Sequence, residues 1–280
     1  MLDLACSLVL AAATFVVVVA YARRVSRVGA AHHARVDRAG SSVLLGKGAM
    51  ELGYWAMRPL ARACVAAGVS ANAVSWTSLG LAACAGESLA LGHFGVGALL
   101  SVASSACDAL DGLVARETGT ESDAGEVLDA AVDRYAELLF LGGVAIHERL
   151  DLFGLGLTLA ATAGAVMVSY STAKAEALGV EAPRGAMRRQ ERAVYLAVGV
   201  ALVPIVAAAR TRWGLSPWLE RAPLLSALAL VAGVGNFSAV RRLRAIALAV
   251  QVPAGVSVSR ADEAQALAKG RNAATGNATR

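Results

Sequence analysis

The chain has 280 residues, of which 57% are hydrophobic and 17% are charged, and its mean hydropathy is +0.57. These values exclude an ordinary soluble domain and indicate a helical protein that crosses a membrane several times. The net charge of +5 comes from basic residues clustered beside apolar segments. That distribution is typical of membrane topology and lipid-headgroup contact, so no nucleic-acid partner is expected.

The N-terminal part, 1–24, is predicted to be a transmembrane anchor. Its apolar run over 2–21 is long enough to span a bilayer, and no basic segment precedes it, which argues against a cleaved signal peptide. Arginines follow the run at once, so the N-terminus is expected outside and the arginines inside. The range 25–70 is predicted to be a basic linker followed by an amphipathic helix, over 50–67, on the cytoplasmic face.

The range 71–250 is predicted to be the main membrane domain, because it contains six further apolar segments of spanning length: 72–91, 96–116, 125–146, 152–178, 193–209 and 224–247. The polar remainder, 251–280, is predicted to be a disordered tail. The predicted fold class is therefore all-α. It is a polytopic integral membrane helical bundle with six core transmembrane helices, an extra N-terminal anchor and an amphipathic interfacial helix.

The distribution of basic residues predicts the orientation of this bundle. With seven spans and the N-terminus outside, the most basic loops fall on the inner side, as the positive-inside rule requires. The loops between spans 96–116 and 125–146 and between spans 152–178 and 193–209 then face the cytoplasm. We expect a bacterial inner-membrane protein in which these two loops, and any site formed beside them, open toward the cytoplasm.

Four carboxylates stand out in this apolar chain: Asp108, Asp111, Asp129 and Asp133. Residues three or four apart share a helix face, so each pair is expected to line one face of its helix. A carboxylate in a membrane helix costs about 2.5–3.5 kcal/mol and therefore indicates a function. Four facing carboxylates would repel unless cations lay between them, and oxygen ligands favour Mg²⁺, Mn²⁺ or Ca²⁺. The simpler alternative is that some are helix caps or loop charges, with Asp123 capping the second helix.

The sequence between Asp108 and Asp133 fits the pattern D-x2-D-G-x2-A-R-x8-G-x3-D-x3-D at every fixed position. This pattern resembles the signature of the CDP-alcohol phosphatidyltransferase family of integral membrane enzymes. The resemblance implies transfer of the phosphatidyl group of CDP-diacylglycerol to a polar alcohol, with release of CMP. It also implies a homodimer in the membrane and two divalent ions, Mg²⁺ or Mn²⁺.

The resemblance assigns roles to the motif residues. The metal ligands would be the four carboxylates Asp108, Asp111, Asp129 and Asp133. The last of them, Asp133, would also be the catalytic base toward the acceptor hydroxyl. The residues binding the CDP-lipid would be Asp108, Asp111, Gly112, Ala115, Arg116 and Gly125. The two glycines leave room for close approach to the helix backbone, and the arginine supplies a guanidinium for phosphate oxygens.

A second group of residues, S-Y-S-T-A-K-A-E followed by G-A-M-R-R-Q-E-R, is similar to a pattern of the phosphatidylinositol phosphate synthase subgroup. It implies inositol phosphate as the acceptor, bound by four basic residues: Lys174, Arg189, Arg192 and Arg242. Two positions depart from the subgroup, because Thr172 and Asp123 replace basic residues. The alternative interpretation is a basic cytoplasmic loop that contacts lipid headgroups.

Other functions stay open at this point. The same chemistry could use glycerol phosphate, serine or free inositol as the acceptor. From a different class, a divalent-cation transporter would also place aspartates in membrane helices, although on broken helices near the bilayer midplane.

Overall fold

A computed structural model describes residues 1–29, 46–181 and 185–251 of the chain. Within these ranges every regular element is helical. The α-helices are α1 (Leu2–Val28), α2 (Gly46–Ala66), α3 (Ala71–Ala90), α4 (Phe94–Thr118), α5 (Asp123–His147), α6 (Leu152–Ala177), α7 (Arg189–Trp213) and α8 (Ala222–Gln251). Short 3₁₀ helices, Glu148–Leu150 and Pro217–Glu220, join α5 to α6 and α7 to α8.

These helices confirm the predicted all-α membrane bundle. Each predicted segment overlaps one helix, and α2 runs through Pro59 without interruption. In the described ranges, α1, α4, α6, α7 and α8 are long and apolar enough to cross a membrane. Helices α3 and α5 are not among these candidates, so the count of seven spans stays a prediction. Residues 30–45, which belong to the predicted linker region, and the predicted tail from residue 252 onward lie outside the described residues.

The bundle core joins α3, α4, α5, α6, α7 and α8 around buried aliphatic side chains such as Leu89, Leu141, Val200 and Leu228. Helices α3 and α5 approach each other closely, because Gly86 and Gly143 lie against the opposite backbone with no room for a side chain. Small residues that allow such an approach are typical of membrane helix interfaces. This packing fixes the position of α5, which carries half of the acidic motif.

Helix α1 is docked onto the bundle at its first turn. The Asp3 carboxylate accepts hydrogen bonds from the backbone amides of Gly95 and Val96, at 2.9 and 3.2 Å, and lies 3.1 Å from Nδ1 of His93. It therefore caps the N-terminus of α4, which lacks a side-chain cap of its own. The N-terminal helix thus contacts the helix that carries Asp108.

Candidate active site

The two halves of the acidic motif lie on consecutive helices joined by a short turn. Gly119, with φ 66° and ψ 26°, ends α4 in the left-handed conformation that glycine adopts without strain. Ser122 then begins α5 by accepting a hydrogen bond from the backbone amide of Gly125. Asp108 lies well inside α4, and Ser122 rather than Asp123 caps α5. The capping alternative therefore does not explain these carboxylates.

Three of the predicted ligands converge. Asp108 from α4 and Asp129 and Asp133 from α5 each place one carboxylate oxygen within 4.8 Å of the others. One oxygen of Asp108, Oδ1, is buried and has no hydrogen-bond partner among the described residues. An oxygen donor set with an unmet buried acceptor suits a hard divalent cation such as Mg²⁺ or Mn²⁺.

The fourth predicted ligand, Asp111, points elsewhere. It is buried, its Oδ2 accepts a hydrogen bond of 2.6 Å from the Ser75 hydroxyl on α3, and its Oδ1 accepts one of 2.6 Å from the amide of Gly112. Asp108 and Asp111 are on neighbouring parts of α4, but the first faces α5 and the second faces α3. The two carboxylates were predicted to share one face of α4, but they contact two different neighbouring helices.

Arg189 lies inside the carboxylate cluster. Its Nη1 is 2.7 Å from Oδ2 of Asp108 and 2.5 Å from Oδ1 of Asp133, and both acidic side chains are 14% exposed. Arg189 is the first residue of α7, so the bridge joins three helices at one point. The contact with Asp108 is also a hydrogen bond, and charge-assisted hydrogen bonds of this kind are the stronger ones in proteins. The residue predicted to bind the acceptor is thus adjacent to the predicted base.

The residues predicted to bind the CDP-lipid lie on the C-terminal half of α4, except Gly125, which lies in the first turn of α5. The Arg116 guanidinium folds back toward Gly112 and would lie 3.3 Å from a Cβ atom at that position. It is also 4.0 Å from Glu121. Ala115 is half-buried beside it, while the amide of Gly125 is used by the cap of α5. Backbone and guanidinium are therefore close together at Gly112, as phosphate binding requires.

A cavity of about 800 Å³ opens between α5, α6, α7 and α8 beside the carboxylates. Its charged lining consists of two glutamates and five arginines: Glu137, Glu176, Arg134, Arg188, Arg189, Arg192 and Arg242. Arg242 is buried, donates a hydrogen bond of 2.8 Å to Thr172, and its Nε has no partner among the described residues. Lys174, also predicted to bind the acceptor, is exposed and does not line this cavity.

Arg192, also predicted to bind the acceptor, is paired with a carboxylate inside the protein. Its side chain is fully buried and its guanidinium donates to both carboxylate oxygens of Glu137, at 2.6 and 2.9 Å, and to the Met187 carbonyl at 2.6 Å. These contacts pair the guanidinium within the protein, although Arg192 also borders the cavity.

Sequence reasoning missed several residues that the fold brings to this site. Ser75 contacts Asp111, Arg134 donates to Ser169 on the cavity wall, and Glu137 holds Arg192. A signal for Glu137 was present, because it follows Asp133 by one helical turn and so lies on the same helix face. Ser75 had no comparable signal.

Comparisons with known proteins agree with this geometry. The family model for CDP-alcohol phosphatidyltransferase matches residues 68–234. Archaetidylinositol phosphate synthase of Methanothermobacter thermautotrophicus is 30% identical over 173 residues, covering 62% of this chain and 80% of the relative. Phosphatidylinositol phosphate synthase of Cutibacterium acnes is 30% identical over 198 residues, covering 69% of this chain and 93% of the relative.

Solved structures show the same fold. Phosphatidylinositol phosphate synthase of Mycobacterium tuberculosis with CDP-DAG bound has a TM-score of 0.59 at 24% identity, over 72% of this chain and 98% of that one. The same enzyme with manganese and citrate also has a TM-score of 0.59, at 22% identity, over 72% of this chain and 93% of that one. The acidic motif, the family match over more than half of the chain and this fold lead to one conclusion. The chain is an integral membrane protein of the CDP-alcohol phosphatidyltransferase family.

Proposed function

We propose that this protein transfers the phosphatidyl group of CDP-diacylglycerol to a phosphorylated polyol, with inositol phosphate as the acceptor and CMP as the second product. The observation that carries the proposal is the convergence of Asp108, Asp129 and Asp133 beside an arginine-lined cavity. The carboxylates suit a metal-bound pyrophosphate, and the arginines suit an anionic acceptor.

The carboxylates are the proposed ligands of two divalent ions, Mg²⁺ or Mn²⁺. Asp108, Asp129 and Asp133 already place oxygens together. Asp111 keeps acceptor capacity beyond its bonds to Ser75 and Gly112, because each carboxylate oxygen has two lone pairs. When bound, such ions neutralise the pyrophosphate charge and orient the leaving group. The manganese complex of the Mycobacterium tuberculosis enzyme supports this assignment.

The protein's own residues supply the remaining steps. Arg116, folded over Gly112, binds phosphate oxygens of the CDP-lipid. Asp133 accepts the proton of the acceptor hydroxyl while the hydroxyl oxygen attacks the lipid-side phosphorus. The bond between that phosphorus and the oxygen of CMP breaks, and CMP leaves with the electron pair. General-base catalysis of this kind contributes about 10²–10⁴-fold.

The acceptor is proposed to bind in the 800 Å³ cavity. Arg189 and Arg242 are placed to hold its phosphate, because both line the cavity and Arg242 has a buried Nε with no partner in the described part of the chain. Lys174 is exposed and does not line the cavity, so its contact with the acceptor stays a prediction. The relatives named for inositol phosphate products support the choice of acceptor.

The test is a competition between acceptors. Purified protein with CDP-diacylglycerol and Mn²⁺ is given inositol phosphate, free inositol, glycerol phosphate or serine, and the lipid product is identified by mass spectrometry. The proposal predicts phosphatidylinositol phosphate as the main product. A preference for free inositol or serine would show that the arginine-lined cavity does not select a phosphorylated acceptor.

We further propose that the active site opens to the cytoplasm of a bacterial inner membrane and that the protein is a homodimer. The excess of basic residues in the loops near the acidic motif supports the orientation. The homodimer rests on family resemblance alone. Light scattering of the detergent-solubilised protein tests it, since a monomeric mass would contradict it.

A further inference from the structure

The described segment 185–188, here called the arginine loop, enters helix α7 and brings Arg188 to the cavity beside Arg189. Neighbouring helices hold it at several backbone atoms. The Ser238 hydroxyl on α8 donates a hydrogen bond of 2.8 Å to the carbonyl of Ala186. Arg188 donates its amide to the carboxylate of Glu191, at 3.1 Å. The position of the loop is therefore set by contacts to two helices.

Met187 has an energetically unfavourable backbone conformation in this loop. Its φ of 61° is the positive value of a non-glycine residue, and its side chain is fully buried. A left-handed backbone at such a residue persists only where the surrounding structure fixes it. The contact made by the Met187 carbonyl is the 2.6 Å hydrogen bond from Nη1 of Arg192.

Arg192 is in turn fixed by Glu137. Its Nε and Nη2 donate to the two carboxylate oxygens in a bidentate contact, and the arginine side chain is 0% exposed. A buried guanidinium needs such a partner, because an unpaired buried charge is strongly unfavourable. The planar fork also fixes the direction of Nη1, which points at the Met187 carbonyl.

The contact between Arg192 and Glu137 lies one helical turn from the contact between Arg189 and Asp133. Glu137 follows Asp133 by one turn on α5, and Arg192 follows Arg189 by one turn on α7. Two successive ionic contacts therefore join the same two helices. The outer contact lies in the proposed catalytic cluster. The inner contact is largely buried; its arginine donates to the Met187 carbonyl of the arginine loop, and its glutamate also lies 3.5 Å from Arg134.

We propose that Glu137 and Arg192 form a positioning pair that sets the place of the arginine loop, and thereby of Arg188 and Arg189, for the acceptor. Arg192 acts through the Met187 carbonyl and does not contact the acceptor. This inference rests on the proposed function in one respect, which is that the acceptor binds in the arginine-lined cavity. The placement of the loop itself does not depend on that function.

The first test measures the loop without using activity. Limited trypsin digestion followed by mass spectrometry compares cleavage after Arg188 with cleavage after Arg212, at the far end of α7. In Glu137→Gln the ratio should rise about tenfold, because the loop opens more often when its hydrogen-bonded support is lost. Ser238→Ala should raise the same ratio, because it removes the hydrogen bond to Ala186. Unlike Glu137→Gln, it leaves no buried charge without a partner. Ser78→Ala, which removes another buried interhelical hydroxyl bond, should leave the ratio unchanged.

The second test is kinetic. Glu137→Gln and Arg192→Gln should each raise the KM for inositol phosphate by about tenfold, while kcat at saturating acceptor and CDP-lipid affinity stay within about twofold. The double variant should be no worse than the poorer single variant, because either change breaks the same pair. A loss of folded protein alone would instead lower kcat without moving KM.

The outcomes separate the two proposals. An unchanged cleavage ratio in Glu137→Gln would overturn the positioning role, and a raised ratio in Ser238→Ala would show that the digestion does detect opening of the loop. A raised KM with unchanged cleavage would show that Arg192 contacts the acceptor directly. If the wild-type protein used no phosphorylated acceptor, the proposed function would fail, yet the cleavage ratios would still decide whether Glu137 and Arg192 hold the loop.

Discussion

Arg189 and Asp133 come from different helices, α7 and α5, yet a guanidinium nitrogen of the first lies 2.5 Å from a carboxylate oxygen of the second. The same nitrogen is 2.7 Å from Asp108 on α4. In the proposed mechanism, one arginine therefore lies between the donor site, where the metal ligands are, and the cavity, where the acceptor binds. The two substrates are expected to meet at this residue.

Replacing Arg189 should weaken acceptor binding and strengthen metal binding. Arg189→Ala should raise the acceptor KM by about 10- to 100-fold, because a charged hydrogen bond contributes roughly 1.5–3 kcal/mol. It should also strengthen Mn²⁺ binding, because the guanidinium competes for oxygens of Asp108 and Asp133. CDP-lipid affinity should be spared. Electron paramagnetic resonance of free Mn²⁺, beside steady-state kinetics, measures both effects.

The control for this change is Arg212→Ala, at the opposite end of α7, which should alter neither quantity. A loss of CDP-lipid affinity in Arg189→Ala would place this residue in the donor site. An unchanged acceptor KM would favour the alternative interpretation, in which this basic segment contacts lipid headgroups and not the acceptor.

Asp133 is expected to act as the base. Asp133→Asn should lower kcat by about 10²–10⁴-fold, because the amide cannot accept the acceptor's proton. CDP-lipid binding should remain close to that of the wild type. Measured turnover beside nucleotide-lipid affinity checks this. If Asp133→Asn retained wild-type turnover, another group would have to serve as the base.

The contact between Asp3 and helix α4 should stabilise the fold without taking part in the reaction. Asp3→Ala removes a side-chain cap and should lower the free energy of unfolding by about 1 kcal/mol. Asp3→Asn should retain most of the stability, because asparagine caps helices comparably well. Thermal unfolding in detergent measures the difference. Equal stability of all three proteins would mean that α1 is not held by this contact.

Cysteine labelling tests the orientation. In a chain without its native cysteines, Glu121→Cys and Glu181→Cys should react with a membrane-impermeant reagent only from the cytoplasmic side. Ser216→Cys should react only from the outside. All three positions are exposed in the structure. Labelling of Glu121→Cys from outside would reverse the proposed topology and place the acidic motif toward the other leaflet.

The sequence predicted the helices well because their signals are local. The apolar run predicted over 96–116 corresponds to α4, Phe94–Thr118, and a glycine at its end adopts the left-handed conformation. The convergence of Asp108, Asp129 and Asp133 also followed from spacing and a short turn. These features depend on residues close together in the chain.

Contacts between distant helices were not predictable in this way. Spacing placed Asp111 on α4, but the direction of its carboxylate depends on Ser75, which lies on a different helix. The resemblance implied that Arg192 binds the acceptor together with Arg189, and in the structure it is buried. Its burial depends on Glu137, which belongs to α5. A helix-face pattern cannot show which neighbouring helix a side chain meets.

Release of CMP from CDP-diacylglycerol tests the central claim most directly. Purified wild-type protein with Mn²⁺ and inositol phosphate should release CMP, and a chelator should stop the release. Asp108→Asn and Asp129→Asn should show no release although both remain folded and extractable. Asp123→Asn, outside the carboxylate cluster, should behave as the wild type. Near-wild-type CMP release by Asp108→Asn or Asp129→Asn would contradict the assignment of this cluster as the catalytic metal site.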